Sequence, residues 1–158
     1  MLSEDRTDSA YQVVNDAHVR RSENAQLQIE LDAPLIEKYD LPRPITKFYS
    51  RGDQRVQLRI YGEGNTLKAS IEADYAISYD DRDIMEAYDS VVVIDYKGGD
   101  TILLQDLIWN SAEDRIYSEH PVRARNGNRL TEGDGFTSNQ RMDDMHIIRQ
   151  RGVIEFND

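Results

Sequence analysis

Apolar and polar residues alternate with a period of two over most of this chain. In "LQIELDA" the alternation sets Leu27, Ile29, Leu31 and Ala33 on one face. In "RVQLRIY" it does the same for Val56, Leu58 and Ile60, and in "TLKASIEA" for Leu67, Ala69, Ile71 and Ala73. Successive side chains of a strand point to opposite faces, so these runs predict half-buried strands. "SVVVIDY" is apolar on both faces and predicts a central strand. Turn signals separate the runs: Arg51-Gly52-Asp53, Gly62-Glu63-Gly64-Asn65, Lys97-Gly98-Gly99-Asp100, Asn126-Gly127-Asn128 and Gly133-Asp134-Gly135. Gly and Asn accept the positive φ that hairpin turns demand. "APLIEKYD" and "RDIMEAYD" hold a turn or two of helix at most, and each fits a strand equally well. Strands at short intervals with Gly-rich turns make an all-β barrel, sandwich or jelly roll. Residues 1–24 are polar and aperiodic and are expected to form a flexible leader or linker remnant. Residues 25–158 are expected to form a single β domain.

The pattern also repeats at long range. Val91, Val122 and Val153 recur at intervals of 31, Ile84, Ile116 and Ile147 at 32 and 31, and Asp74, Asp106 and Asp134 at 32 and 28. Each copy runs from a strand with an Asp through a turn to a strand with an Ile, then a break and a strand with a Val. An earlier copy is offset by 40, aligning Leu27 with Leu67, Leu31 with Ile71 and Ala33 with Ala73. About four weak copies therefore cover the chain after residue 24. Periods of this length mark stacked supersecondary units, each burying its apolar face against its neighbours.

Charge narrows the possible partners. Of 158 residues, 19 are Lys or Arg and 30 are Asp or Glu, a formal charge of −11. This opposes non-specific nucleic-acid binding, which needs a basic footprint, and docking on an anionic membrane surface. With no cysteine, disulfides, thiolate zinc sites and cysteine nucleophiles are excluded. No run approaches the ~20 apolar residues of a membrane span, and "MLSEDRTDSAYQ" lacks the basic and apolar regions of a signal peptide. His18, His120 and His146 lie far apart and outside any metal-ligating spacing. Asp80, Asp81 and Asp83, like Asp143 and Asp144, lack EF-hand spacing and are expected as solvated turn residues. The adhesion tripeptide Arg51-Gly52-Asp53 falls where a turn is expected anyway. No cofactor, metal site or catalytic set is expected.

The ordered succession of units carries a resemblance. "LKASIEADYAISYDDRDIMEAYDSVVV" runs from an apolar strand through Ala73-Asp74-x-Ala76 and a turn to an apolar strand and a Val-rich strand. "LIWNSAEDRIYSEHPVRA", "LTEGDGFTSNQ" and "RQRGVIEF" continue the series. This closely resembles the LptC family of lipopolysaccharide export proteins, related to the OstA-like bridge proteins. The resemblance implies a twisted, boat-like β-jelly roll of antiparallel strands, open along one side, with no catalytic activity. It implies a periplasmic protein attached to the inner membrane through an N-terminal anchor missing from this chain. Such a protein receives lipopolysaccharide from the permeases of an inner-membrane ABC transporter and passes it to a periplasmic bridge protein of the same fold.

On that architecture the inward face is expected to form a groove for lipid A acyl chains. Its candidates are Leu58, Ile60, Leu67, Ala69, Ile71, Val91, Val93, Trp109, Ile116, Val122, Phe136 and Ile147. Burying acyl chains there gains about 0.8 kcal/mol per methylene. The same residues would equally fill a closed core. Arg123, Arg125 and Arg129 suit a phosphate head group by type and fit equally as outward strand residues. Partner-docking edges are expected at Leu27, Ile29 and Leu31 and at Val153, Ile154 and Phe156, because an unpaired edge receives a partner's strand. The competing function is a surface adhesion or carbohydrate-binding β domain.

Overall fold

The computed structural model describes residues 10–40 and 42–155. The chain folds as one large antiparallel sheet of 14 strands, a β-jelly roll. In order these are β1 (Gln12–Glu23), β2 (Gln26–Asp40), β3 (Pro44–Tyr49), β4 (Val56–Tyr61), β5 (Leu67–Ala73), β6 (Tyr75–Tyr79) and β7 (Ile84–Asp95). There follow β8 (Asp100–Asn110), β9 (Arg115–Ser118), β10 (Val122–Asn126), β11 (Arg129–Gly133), β12 (Gly135–Ser138), β13 (His146–Ile148) and β14 (Arg151–Glu155). The two ambiguous runs, "APLIEKYD" and "RDIMEAYD", are both strand: they lie in β2 and β7.

Long strands divide the sheet into two wings. β7 pairs β6 through Ile84–Tyr88 and β5 through residues 92–95, while its other side pairs β8 throughout. β2 likewise pairs β4 through residues 29–32 and β3 through residues 35–40. β8 pairs β10 near its start and β9 near its end. The first wing therefore holds β4, β5, β10, β11 and β14, and the second holds β3, β6, β9, β12 and β13. The long strands belong to both.

The repeat is now a physical object: three of the copies cross from one wing to the other at an Asp, and the earlier one crosses at Pro34. Asp74 joins β5 to β6, Asp106 lies in β8 where burial changes phase, and Asp134 joins β11 to β12. A basic side chain meets each. Arg55 Nε donates to Asp74 at 3.2 Å and its Nη2 to the Asp89 carbonyl at 3.2 Å. Ser118 Oγ donates to Asp106 at 2.8 Å, with His120 Nδ1 at 2.9 Å from the same oxygen. Arg151 pairs with Asp134. The bend is made by residues that tolerate left-handed backbone: Asp16 (φ 52°) in β1, and Asp89 (φ 70°) with Ser90 (φ 51°) in β7. Asp16 faces Pro34, which has no N–H to give, and the β1–β2 ladder skips both. At each bend the inward face changes phase, so β8 buries Ile102 and Leu104 before it and Leu107 after it.

Two sequence expectations need correction. Gln12–Glu23, read as part of a flexible leader, is strand β1, paired with β2 along its whole length. Its burial pattern is almost wholly exposed, so no apolar alternation marks it. As a consequence Leu27, Ile29 and Leu31 are not at an edge: β2 is paired on both sides, and the free edge at that end belongs to β1. Residues 1–9 lie outside the described residues.

The core follows the alternation. Val56, Leu58 and Ile60 of β4 and Ala69, Ile71 and Ala73 of β5 are buried, and Val91 and Val93 of β7 are fully so. Each large aliphatic side chain so placed contributes about 1.5–3 kcal/mol relative to exposure. A second cluster under the N-terminal end gathers Ala17, Ala33, Ile36, Phe48, Val56 and Ala76. On the outside of the second wing, Tyr49, Tyr75 and Tyr88 stand in register across β3, β6 and β7, with ring centroids 5.2 and 6.4 Å apart. Such cross-strand rings stabilise a sheet.

Candidate functional site

Of the twelve residues expected to line the groove, nine are buried in one continuous cluster: Leu58, Ile60, Ala69, Ile71, Val91, Val93, Ile116, Val122 and Phe136. Trp109 and Ile147 pack against it half-buried. Leu67 is half-buried outside the cluster, because a register shift between Ile60 and Tyr61 turns the start of β5 away. Ala73, which the alternation set on the same face, is also in the cluster. Ile102, Leu104, Leu107, Ala124 and Met142, which the alternation did not reveal, complete it. The first four are legible once β8 and β10 are recognised. Met142 sits in a turn where no period applies.

The interior is nearly filled. Between the wings, Leu31, Val56, Leu58, Ile71, Met85 and Trp109 surround an apolar cavity of about 40 Å³. That is room for about three waters and too little for an acyl chain. Outside it lies a much larger open groove of about 1360 Å³. The turns of the first wing, at residues 24–25, 62–66 and 96–99, form one lip. The other lip is the segment 139–145 between β12 and β13. Ile60 and Met142 belong to both the groove wall and the buried cluster, and Trp109 packs against the cluster from the groove wall, so the core is reached from the groove. Trp109 Nε1 donates to Gln140 Oε1 at 3.1 Å, which fixes its ring at the mouth.

The edges differ in character. β14 pairs only β11, leaving its other side unpaired among the described residues. Val153 and Ile154 lie in this strand, and Phe156 lies outside the described residues. β1 forms the opposite end and carries exposed Val13 and Val19 among charged residues. Arg123 pairs with Glu132 on the exposed face of the first wing, and Arg125 and Arg129 are exposed as well, so these arginines are remote from the groove lining.

Several charges elsewhere are paired locally. Arg59 joins Glu30 and Asp32 across β4 and β2. The Tyr61 hydroxyl, and then Arg59 and Arg20, hold the Glu30 carboxyl below its usual range against the opposing effect of burial. Burial pushes the Asp32 carboxyl up, but hydrogen bonds from Arg59 and His18 outweigh it and hold it low. On the tyrosine face, burial first, then Glu37 at Tyr49 and Glu86 at Tyr88, pushes both phenols up, so they stay protonated donors. The three histidines each face an aspartate: His18 with Asp32, His120 with Asp106 and His146 with Asp144. Asp80 accepts from Thr46 and Ser78 at 2.8 Å each, and Asp81 pairs with Arg43, so this cluster ties down its own turn. Arg51 and Gln54 bridge a tight turn around Gly52 and Asp53. Among the described residues no group of three His, Asp or Glu side chains stands where it could hold a metal ion, and no helix is long and apolar enough to cross a membrane.

The β-jelly roll of antiparallel strands agrees with the fold that the resemblance implied. No curated protein matches the chain. The family model described as "Lipopolysaccharide-assembly, LptC-related" matches residues 2–155. That family is a generally non-enzymatic component of lipopolysaccharide transport, periplasmic and inner-membrane associated. With nearly its whole length matched and its fold in agreement, the chain belongs to the LptC-related family of lipopolysaccharide-assembly proteins.

Proposed function

We propose that this protein accepts lipopolysaccharide at the open groove, holds its acyl chains between the two wings, and passes them on along a shared sheet. The observation that carries this is the continuity of groove and core: Ile60 belongs to both, and Trp109 packs against the core from the groove wall. Acyl chains entering there exchange water for apolar surface at about 0.8 kcal/mol per methylene. The gain is large and insensitive to chain shape, as suits a conduit. The head group stays in the groove. Because the interior holds only about 40 Å³, the wings part to admit cargo.

Two further assignments belong to this reading. The free side of β14 pairs with a strand of a periplasmic bridge protein of the same fold, by main-chain hydrogen bonds. The β1 end faces the permeases of the inner-membrane ABC transporter. The tyrosine row is the shallow aromatic platform that a carbohydrate-binding domain would need, but the hydroxyls of Tyr49 and Tyr88 are already engaged by Glu37 and Glu86.

Site-specific photocrosslinking in living cells tests the proposal. A photoreactive residue at Trp109 is expected to capture lipopolysaccharide, whereas one at Arg82, in an exposed turn of the outer surface, is not. Absence of a crosslink at Trp109, Ile71 and Phe136 alike would mean a closed core and remove the conduit reading.

A further inference from the structure

The segment 139–145 is unlike the other turns of its wing. The two before it span residues 80–83 and 111–114, short links between paired strands. This one is longer and is drawn across the groove. Its Met142 is 3% exposed and belongs to the buried cluster, although the residues on both sides of it are exposed. The Met142 backbone has φ 60°, a conformation that non-glycine residues rarely adopt. Asp143, the next residue, pairs with Lys68 of β5, on the opposite lip. The Lys68 stem packs closely on Gly62: a Cβ there would lie 2.7 Å from the lysine side chain, so a larger residue would displace the stem. Asn139 organises the near end, taking the Asp143 N–H on its Oδ1 at 2.9 Å and the Met142 N–H on its carbonyl at 3.0 Å.

We propose that segment 139–145 is a built-in stand-in for the cargo, occupying the mouth of the groove as an anionic amphiphile would and leaving when one arrives. Resting on the lipid reading above, this names the chemistry recognised at the mouth. Met142 takes the place of acyl carbons, and a thioether on an unbranched stem fills an irregular apolar gap well. Asp143 takes the place of a phosphate on Lys68. The pair is half-exposed, so it is a weak latch, and a phosphate bearing more charge and three acceptor oxygens displaces a carboxylate from an ammonium. The left-handed Met142 relaxes once its side chain is withdrawn. The empty protein thus keeps its apolar interior covered, and only a ligand carrying both an acyl chain and an anion replaces both contacts.

The chain has no cysteine of its own, so Lys68→Cys with Asp143→Cys can be joined by a reducible bis-methanethiosulfonate bridge, uniquely placed. Uptake of monododecyl phosphate is measured by displacement of a hydrophobic dye, with dodecyl maltoside as the neutral comparator, on both the wild-type chain and this variant. In the wild-type chain the phosphate is expected to bind at least about ten-fold more tightly than the maltoside, with Lys68→Gln abolishing that preference. Because this variant lacks the Lys68 ammonium, its bridged and reduced forms are compared only with each other: bridging is expected to weaken uptake of either amphiphile about ten-fold or more, since it removes the competent state, and reduction restores the variant's own open level. Hydrogen exchange on the wild-type chain supplies an independent reading: the amides of Met142 and Asp143 lose protection when monododecyl phosphate is added. Equal uptake by bridged and reduced forms, or undiminished protection, overturns the stand-in and leaves the conduit intact. Equal binding of the two amphiphiles by the wild-type chain overturns the role of Lys68. Binding of neither overturns the conduit and the stand-in together.

Discussion

Replacing Phe136 with alanine separates a packed interior from a slack one. Phe136 is 0% exposed and is among the largest fully buried side chains. It stands in β12 between Ser118 of β9 and Ile147 of β13, its side chain in the main cluster. Losing the buried ring forfeits a transfer term of about 2–3 kcal/mol, and the space left behind adds on the order of 1–2 kcal/mol, since dense surroundings collapse only in part. The total is about 3–5 kcal/mol, a large share of the ~5–15 kcal/mol that holds a typical domain together. For a chain of this length each kcal/mol moves the melting temperature by about 2–4 °C, so a fall of roughly 6–20 °C is expected. Urea unfolding followed by Trp109 fluorescence gives the free energy, and differential scanning calorimetry gives the temperature. Leu103→Ala is the control: Leu103 lies on the outside of β8 and is 44% exposed, and its loss is expected to cost less than about 0.5 kcal/mol. A cost below about 1 kcal/mol for Phe136→Ala would refute the filled interior. The wings would then stand apart in the resting protein, and no parting would be needed to load cargo.

Other consequences are as direct. A Cβ at Gly133 would lie 2.3 Å from Ile147 Cγ2 and 2.9 Å from the Ile148 carbonyl, so Gly133→Ala is expected to force β13 off the wing. It should cost about 1–3 kcal/mol and raise amide exchange in residues 146–148, and native exchange there would refute it. Glu30 and Asp32 titrate lower in the folded chain than unfolded, so their stabilisation is complete above about pH 5 and fades as pH falls through the folded values. The stability gap between the wild-type chain and Arg59→Gln, read by urea unfolding, should therefore be full at pH 6 and narrow below about pH 4. A gap of equal size at pH 3 and pH 6 removes Arg59 as the cause. Val153→Pro deprives the β14 edge of an N–H. It should abolish co-purification of the bridge protein while changing the melting temperature little, and retained binding would sink the edge-docking assignment.

Much of the first wing was legible because one of its faces is dry and the other wet. Val56, Leu58 and Ile60 show that contrast in sequence and bury as expected. β1 was illegible for the complementary reason: apart from Ala17 and Val14, which meet the second cluster, it covers a strand edge, so main-chain hydrogen bonds hold it and its side chains carry no period. Missing β1 also misplaced the edge at Leu27 and Ile29. The recurring Asp74, Asp106 and Asp134 were visible as a rhythm, but their cause is three-dimensional, since each sits where the chain changes wing beside a nitrogen-bearing side chain from elsewhere in the chain: Arg55, His120 and Arg151. Met142 could not have been found by any period, because a single buried residue in an irregular segment is defined by what lies opposite it. Trp109 was selected for its size alone, and its position at the mouth depends on Gln140, 31 residues away.

The bends at Asp16, at Asp89 and Ser90, and beside Pro34 carry a mechanical consequence. β1, β2, β7 and β8 run unbroken through them, so the two wings share a spine like the covers of a book. On the conduit reading proposed above, spreading the covers would change a few backbone torsions at the spine and break no rung of either ladder. The work of opening is then stored as elastic deformation and returned on closing. A carrier built this way can cycle many times without passing through a partly unzipped state whose bare strands would seize on a neighbour.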